Sequence, residues 1–363
     1  MPYDMCLLVP PYRGIKAMQN SGLTNERGYR LLQLTIGSSD TAGQPVGRVI
    51  SHFVAGRKTR PPSAAGGGRM AYDLSIFHLT SSISSSISPC TGRRPFAMVR
   101  ASMSPITAPV PLRSFVAGQL PVHVFPGQDE LARYLTATVR DILNDAIARQ
   151  GSAAAILATG NSQIRFLRIL AESGGVDWSR VTLFHMDEYL GIRAGNPASF
   201  RHYLSQRVES LVRPRVFHYI AGDSDLPLDE CARYTTLLRA QPIDLCCLGV
   251  GETGHLAFND PPVARFDDPH WVKLVKLDDA CKMQQVKEGH FPSLEAVPPY
   301  AYTLTIPALL SARRVLCLAP ETRKARPVRD LLQGPVSTSC PASVLRTAPH
   351  ATLLLDVESA SLL

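Results

Sequence analysis

The chain of 363 residues lacks several features that would place it in a large protein class. It contains no run of the ~18 to 20 consecutive apolar residues that a membrane helix requires, and no signal peptide is visible. Its eight cysteines include no Cys-x-x-Cys pair, the spacing typical of zinc and thioredoxin-like redox sites. We therefore expect a reduced, cytoplasmic compartment, with Cys246 and Cys247 as small buried residues of an apolar strand.

Acidic residues are scarce in the first third of the chain. Met1 to Phe115 holds 13 Lys and Arg against 4 Asp and Glu, whereas the remaining residues hold 25 against 26. The first segment is rich in Ser, Pro and Gly and shows no sustained helical or strand period, so we expect residues 1–114 to form a disordered extension. Residues 115–363 are then predicted to form one domain.

Two functional interpretations of the basic extension are weak. A nucleic-acid-binding arm needs a dense run of Lys and Arg, which the segment lacks. A transit peptide is poor in acids, whereas the first thirty residues contain Asp4 and Glu26. We favour an over-extended reading frame with initiation at Met98 or Met103, and we expect neither nucleic acid nor a membrane as a partner.

From Val122 onward, short apolar segments alternate with segments of helical period. This alternation predicts an α/β fold, a doubly wound and mainly parallel sheet with helices on both faces in a Rossmann-like three-layer sandwich. The predicted strands are 122–125, 153–157, 181–184, 216–219, 243–250, 271–277, 302–306, 313–319 and 351–355. The predicted helices are 131–146, 164–172, 200–211 and 228–238, with further helices starting at Pro307 and near Lys324.

The most informative stretch is Leu245 to Pro262, which reads LCCLGVGETGHLAFNDPP. Its apolar run is short and bounded by turn residues, which favours a buried parallel strand. The glycines that follow it, Gly249, Gly251 and Gly254, match the spacing of a dinucleotide-binding fingerprint. That fingerprint requires a helix at the third glycine, and Asn259 to Pro262 would stop such a helix within two turns. A nicotinamide site is therefore not expected.

The loop after this strand carries His255 and Asp260 five residues apart. A lone histidine in a loop is most often a surface residue. Here the carboxylate of Asp260 is close enough to orient the imidazole, an arrangement useful for acid–base catalysis near neutral pH.

Two further loops at predicted strand ends carry polar residues. After strand 153–157 come Thr159 to Ser162 and a helix, whose unpaired amides favour an anion, although an ordinary N-cap turn explains the residues equally well. After strand 181–184 come the adjacent acids Asp187 and Glu188, a pair that is often only a solvated turn or helix cap.

The segment GVGETGHLAFNDP, together with FHMDEYLG at Phe184 to Gly191, resembles motifs of the glucosamine-6-phosphate deaminase family, whose relatives include the 6-phosphogluconolactonases. The resemblance extends from about Phe115 to the C-terminus. It implies that glucosamine 6-phosphate and water become fructose 6-phosphate and ammonia, as in amino-sugar catabolism, without a redox or electron-sink cofactor. The proposed site has one histidine and separated carboxylates instead of a clustered ligand set, so we expect no metal. The resemblance implies a small sugar phosphate as partner, and it leaves open whether the protein is a monomer or a homo-oligomer.

The resemblance also implies residue roles. Asp187 moves the C2 proton, His255 with Asp260 opens the sugar ring, and Thr253 lies where the family commonly has Asp or Asn. On the residues alone, a lysine in the first turn of a helix, such as Lys324, is usually just solvated. The residues implied to hold the substrate phosphate are Thr159, Gly160, Asn161, Ser162 and Lys324.

Three departures from the family pattern concern the site. Thr253 cannot place a negative charge near an imidazolium, and Asp260 is one methylene shorter than the usual Glu. Lys282 to Gln285 lies where the family often supplies a phosphate-binding arginine, and only Lys282 is cationic. These departures are compatible with a subgroup that acts on another 6-phospho-amino sugar.

Two alternative functions stay open at this point. A 6-phosphogluconolactonase-like hydrolase would share the sheet and both loops but would not need a base at C2. A non-enzymatic sugar-phosphate sensor should carry a helix-turn-helix, and Met1 to Phe115 shows no pair of periodic helices to build one.

Overall fold

A computed structural model of the protein describes residues 36–39, 45–48 and 108–363. The chain divides into two units, Met1–Met98 and Val99–Leu363. In the first unit, Ile36–Ser39 (β1) and Pro45–Arg48 (β2) form an antiparallel pair, which the sequence pattern did not predict. The other residues of the predicted disordered extension up to position 107 lie outside the described part, so that expectation stays a prediction.

The second unit is built on a sheet of eight strands. Six of the seven strand pairings are parallel. The exception is the antiparallel pairing of Arg113–Ala117 with Leu120–Phe125. The predicted mainly parallel sheet is thus confirmed. From edge to edge the order is β3 (Arg113–Ala117), β4 (Leu120–Phe125), β13 (Ala351–Asp356), β12 (Arg314–Leu318), β9 (Leu245–Gly249), β5 (Ala153–Leu157), β6 (Val181–His185) and β8 (Val216–His218).

Both faces of this sheet are buried, because successive strand residues belong to different apolar clusters. In β9, Cys246 and Leu248 pack into one cluster, and Leu245 and Cys247 pack into the other. The two cysteines are therefore core residues, as predicted. The α-helices of five or more residues are α1 (Gln128–Gln150), α2 (Ile164–Glu172), α3 (Phe200–Leu204), α4 (Pro227–Arg239), α5 (Asp279–Lys287), α6 (Ile306–Leu310) and α7 (Ala325–Gln333), and a single α-helical turn lies at Ser210–Val212.

A second, antiparallel sheet of three strands was not predicted. It consists of β10 (Val272–Lys276), β11 (Tyr300–Leu304) and β7 (Asp187–Tyr189), in that order. The first two were predicted as strands, but their assignment to the parallel sheet is wrong, because local periodicity does not reveal which partner a strand pairs with. The α5 helix was missed as well, since its apolar residues do not recur at helical spacing.

Two details of helix phase correct the sequence expectations. Leu211 was expected in the core but is 59% exposed. A π-helical turn at Ser205–Glu209 follows α3 and shifts the helical phase, so that Val212 packs against the core instead. Pro327 falls in the first turn of α7, because that helix begins only at Ala325. There its missing N–H leaves no helical hydrogen bond unmade.

We expect deletion of residues 1–103 to leave the melting temperature and the activity almost unchanged. The predicted domain boundary at 114/115 must move, because β3 begins at Arg113 and pairs with β4 along its whole length. Deletion to residue 118 should therefore lower the melting temperature clearly, since it bares the edge of β4. Thermal unfolding of both truncations beside the full chain is the test. A large loss from the first deletion would show that the extension packs on the domain.

Candidate active site

The loops that follow β5, β6, β9 and β12 meet α5 around one pocket at the carboxyl edge of the large sheet. Parallel sheets of this kind bind ligands at that edge. Most of the site residues predicted from the sequence line the pocket, and Thr253 and Asp260 contact one of them, His255, from behind. The predicted residues on the pocket wall are Thr159, Gly160, Asn161, Ser162, Asp187, His255 and Lys324.

The imidazole of His255 is held by two neighbours. Its Nδ1 lies 2.7 Å from Oδ1 of Asp260 and 2.8 Å from Oγ1 of Thr253, and the Thr253 hydroxyl donates to the same Asp260 oxygen at 3.0 Å. Burial alone would raise the pKa of Asp260, but the charge and hydrogen bond of His255 and the hydroxyl of Thr253 hold it below its usual value. A carboxylate at Asp260 requires the proton on Nδ1, which leaves Nε2 for the substrate.

Two positions of the central loop, 251 and 254, require glycine because a Cβ atom there would collide with a neighbouring side chain. A Cβ atom at position 251 would lie 2.0 Å from Nε2 of His255, so Gly251 lets the imidazole rest against the backbone. Gly254 has φ +76°, and a Cβ there would lie 2.7 Å from Sγ of Cys340. The glycine spacing therefore serves the histidine loop, and no helix starts at Gly254.

The adjacent acids Asp187 and Glu188 have different environments. Glu188 is fully buried, and its carboxylate accepts a hydrogen bond from the Ser199 hydroxyl at 2.7 Å and from the backbone amides of Tyr189, Phe200 and Arg201. It thus caps the start of α3. Asp187 faces the pocket, and its Oδ1 has no hydrogen-bond partner. Burial, with a smaller contribution from the neighbouring Glu188, raises the pKa of Asp187 to about 8.

The loop after β5 and Lys324 form the opposite end of the pocket. Gly160 has φ +97° and turns the chain into the short helix Asn161–Gln163 that leads into α2. Lys324 is 3% exposed, so the alternative of a solvated lysine is wrong. Burial and the neighbouring charge of Arg323 lower the pKa of Lys324 to about 8. Within the described residues, no carboxylate lies within 4 Å of its Nζ. A buried amine of this kind suits a dianionic ligand.

The pocket wall formed by α5 and the loop after it was not predicted. Gln284 accepts from the amide of Glu252 at 3.2 Å, and Gln285 accepts from the Tyr189 hydroxyl at 2.7 Å. Lys282 is not on the pocket wall; its Nζ lies 3.6 Å from Asp279. The stretch where the family often supplies a phosphate-binding arginine therefore presents two neutral amides to the pocket. The departure from the family pattern was the only sequence signal for this wall, and none pointed to the remaining members, Glu288 and His290.

Within residues 36–39, 45–48 and 108–363, no group of three or more His, Cys, Asp or Glu side chains is placed to hold a metal ion. No helix in this part of the chain has the length and apolar character needed to cross a membrane. Independence of metal ions stays a prediction that only an assay can test.

Comparison with protein families and curated proteins identifies relatives over most of the second unit. The family model of glucosamine-6-phosphate isomerases/6-phosphogluconolactonase matches residues 126–354. The chain is 34% identical over 207 residues to a glucosamine-6-phosphate deaminase of Listeria monocytogenes, which covers 57% of this chain and 86% of that protein. It is 32% identical over 235 residues to the enzyme of that name from Exiguobacterium sibiricum, covering 64% and 91%.

Solved structures agree with this result. A monomeric glucosamine-6-phosphate deaminase superposes with a TM-score of 0.62 at 29% identity, over 67% of this chain and 99% of that one. A 6-phosphogluconolactonase from Thermotoga maritima superposes with a TM-score of 0.52 at 18% identity, over 65% and 98%. The second likeness shows the fold alone. The resemblance and the fold class expected from the sequence are confirmed.

Proposed function

Because the chain belongs to the family of glucosamine-6-phosphate isomerases and 6-phosphogluconolactonases, we propose that it converts glucosamine 6-phosphate and water to fructose 6-phosphate and ammonia. One observation carries the proposal. A buried, unpartnered carboxylate at Asp187 and an oriented imidazole at His255 line the same pocket as Lys324 and the loop after β5. The site thus offers two separate acid–base groups and a place for a phosphate.

The phosphate end of the substrate binds at the loop after β5. The amides of Gly160 to Ser162 and the hydroxyls of Thr159 and Ser162 are donors to phosphate oxygens, and Lys324 adds a positive charge. Because Lys324 is buried, binding of a dianion beside it restores its full charge. This arrangement places the sugar carbons toward the other end of the pocket.

Ring opening is the task of His255. Its Nε2 accepts the proton of the C1 hydroxyl and delivers that proton to the ring oxygen O5 as the C1–O5 bond breaks and the C1 aldehyde forms. The Asp260 carboxylate stabilises the imidazolium that forms, through the hydrogen bond at Nδ1. The Thr253 hydroxyl oxygen accepts a hydrogen bond from the same nitrogen but supplies no charge.

The proton transfer from C2 to C1 is the task of Asp187. Its carboxylate accepts the proton from C2, which gives an enediol-type intermediate with the amine on C2, and the proton then returns at C1. Water adds to the resulting C2 imine, the C–N bond breaks, and ammonia leaves as the C2 ketone forms. The net reaction consumes one water and breaks a C–N bond, so the assignment of the enzyme to the hydrolases belongs to the proposal.

The cellular setting follows from the same proposal. All six cysteines within residues 108–363 are free thiols, and five of them are buried. Buried thiols of this kind are typical of a reduced compartment, and we propose the cytoplasm. The proposed reaction does not determine the state of assembly, which is either a monomer or a homo-oligomer.

The test is an assay of the full chain with glucosamine 6-phosphate, with its galactosamine epimer and with 6-phosphogluconolactone. We expect ammonia and fructose 6-phosphate in equal amounts from the first, at the same rate with and without a chelator. Lactone hydrolysis without ammonia release would favour the lactonase alternative. Binding of the sugar phosphates without turnover of any of them would favour a sensor.

A further inference from the structure

At the phosphate end of the pocket, one lysine charge faces a ligand that carries two negative charges. Among the described residues on the pocket wall, Lys324 is the only Lys or Arg, and the carboxylate of Glu288 lies on the same wall. The side-chain amide of Asn161 donates to the backbone carbonyl of Glu288 at 3.4 Å, which places Glu288 beside the loop after β5. The charges of Lys324 and Glu288 therefore offset each other where the phosphate is expected.

A second cation lies directly behind Glu288. The guanidinium of Arg323 donates through Nη1 to Oε1 of Glu288 at 2.5 Å and through Nε to Glu321 at 2.5 Å, and Nη1 lies 3.6 Å from Glu252. Three carboxylates therefore hold this cation. Because its side chain is 27% exposed, it is also partly open to water. Glu288 lines the pocket and Arg323 does not, so the guanidinium contacts the pocket wall through Glu288.

Glu288 is negatively charged and has polar neighbours other than Arg323. Burial alone would raise its pKa, but His290 and Arg323 lower it to about 2, so it is a carboxylate at every working pH. Besides Arg323, it accepts from Nε2 of Gln284 at 3.0 Å, and Nε2 of His290 lies 3.4 Å from its other oxygen. These two neighbours remain available to the carboxylate if it gives up the guanidinium.

We propose that Arg323 is a second phosphate-binding residue and that Glu288 occupies its guanidinium until a phosphate displaces it. The inference rests on the proposed function for the presence of a phosphate on the substrate. In the exchange, one carboxylate–guanidinium pair breaks and one phosphate–guanidinium pair forms, so Arg323 supplies the cation that Lys282 to Gln285 do not. Arginine suits this role because its planar fork can donate two parallel hydrogen bonds to a phosphate.

The exchange predicts opposite effects for the two partners of the ion pair. Removal of the Arg323 charge weakens phosphate binding, because a charge-assisted hydrogen bond is lost. Removal of the Glu288 charge strengthens phosphate binding, because the competing anion is gone. If the pair only shaped the pocket wall, either substitution would loosen the wall and both would weaken binding.

The experiment is calorimetric titration of the full chain with inorganic phosphate and with fructose 6-phosphate, using fructose as the ligand without phosphate. We expect Arg323→Gln to raise Kd for both phosphates by ~10-fold or more, Arg323→Lys to raise it less, and Glu288→Gln to lower it several-fold. Matched controls are Arg329→Gln, an exposed arginine of α7, and Glu172→Gln, an exposed acid at the end of α2. Both controls should leave Kd unchanged, as should every variant with fructose.

Weaker or unchanged phosphate binding in Glu288→Gln would overturn the inference, and so would an unchanged Kd in Arg323→Gln. Melting temperatures of all variants show whether a loss of binding is caused by a loss of folding. If Arg323→Gln is unfolded, the inference is tested by whether Glu288→Gln lowers Kd and Arg323→Lys raises it. Because the readout is the heat of binding, failure of the exchange is distinguishable from failure of the deamination assay.

Discussion

Substitution of Asp187 by Asn is expected to lower kcat for deamination by ~10² to 10⁴ while the Kd for fructose 6-phosphate stays close to the wild-type value. The amide has the shape of the carboxylate but cannot accept the C2 proton, whereas Lys324 and the loop after β5 are untouched. The measurement is deuterium incorporation at C2 in heavy water together with ammonia release. Asp267→Asn, an exposed carboxylate, is the matched control. C2 exchange at the wild-type rate in Asp187→Asn would show that another group is the base.

The pH profile of kcat/KM reports the same residue in the free enzyme. The pKa of Asp187 is raised to about 8, so the carboxylate that acts as base is lost as the pH falls below that value. The pKa of Lys324 is lowered to about 8, so the phosphate-binding charge is lost as the pH rises above it. We therefore expect a narrow, bell-shaped profile with its maximum near pH 8. In the substrate complex, the positively charged amine lowers the pKa of Asp187 and the phosphate dianion raises the pKa of Lys324. The two pKa values move apart, and the pH profile of kcat is broader than that of kcat/KM.

Substitution of His255 by Gln is expected to slow turnover of the cyclic substrate by ~10² to 10⁴ and to slow an open-chain analogue far less. The open-chain form needs no ring opening, which is the step assigned to Nε2 of His255. Binding should persist, because Lys324 and the loop after β5 are untouched. The measurement is kcat for both substrates in wild type and variant.

An equal loss with both substrates would place His255 at a later step of the reaction. Thr253 would then be the residue to examine, because it replaces the acid that the family commonly has beside this histidine. The control is His270→Gln, a histidine outside the pocket wall, which should change neither rate.

The parts of the fold that the sequence predicted are those with strong local signals. β5 and α2 agree residue for residue with the predicted segments 153–157 and 164–172, because an uninterrupted apolar run is followed by a Gly-containing turn and then by a helical period. The clustering of Asp187, His255 and Lys324 was also predictable, because each follows a strand, and the carboxyl ends of parallel strands meet at one edge.

The parts that were missed depend on contacts distant in sequence. The pairing of Thr303 with Asp187 is part of the small antiparallel sheet that places Asp187 on the pocket wall, and no local period predicts this pairing. The π-helical turn that exposes Leu211 is likewise invisible to a 3.6-residue period. The contact between Glu288 and Arg323 joins residues 35 positions apart, so neither residue could be assigned to the pocket before the fold was known.

The central claim, deamination with a proton moved from C2 to C1, is tested most directly by one nuclear magnetic resonance time course. The wild-type chain is mixed with glucosamine 6-phosphate in heavy water, and substrate, products and deuterium positions are followed together. We predict fructose 6-phosphate and ammonia in equal amounts, with deuterium at C1 of the product to the extent that the proton taken up by Asp187 exchanges with solvent before it is transferred to C1. Substrate that is neither consumed nor labelled with deuterium at C2 would contradict the proposed reaction. So would ammonia that is formed without fructose 6-phosphate.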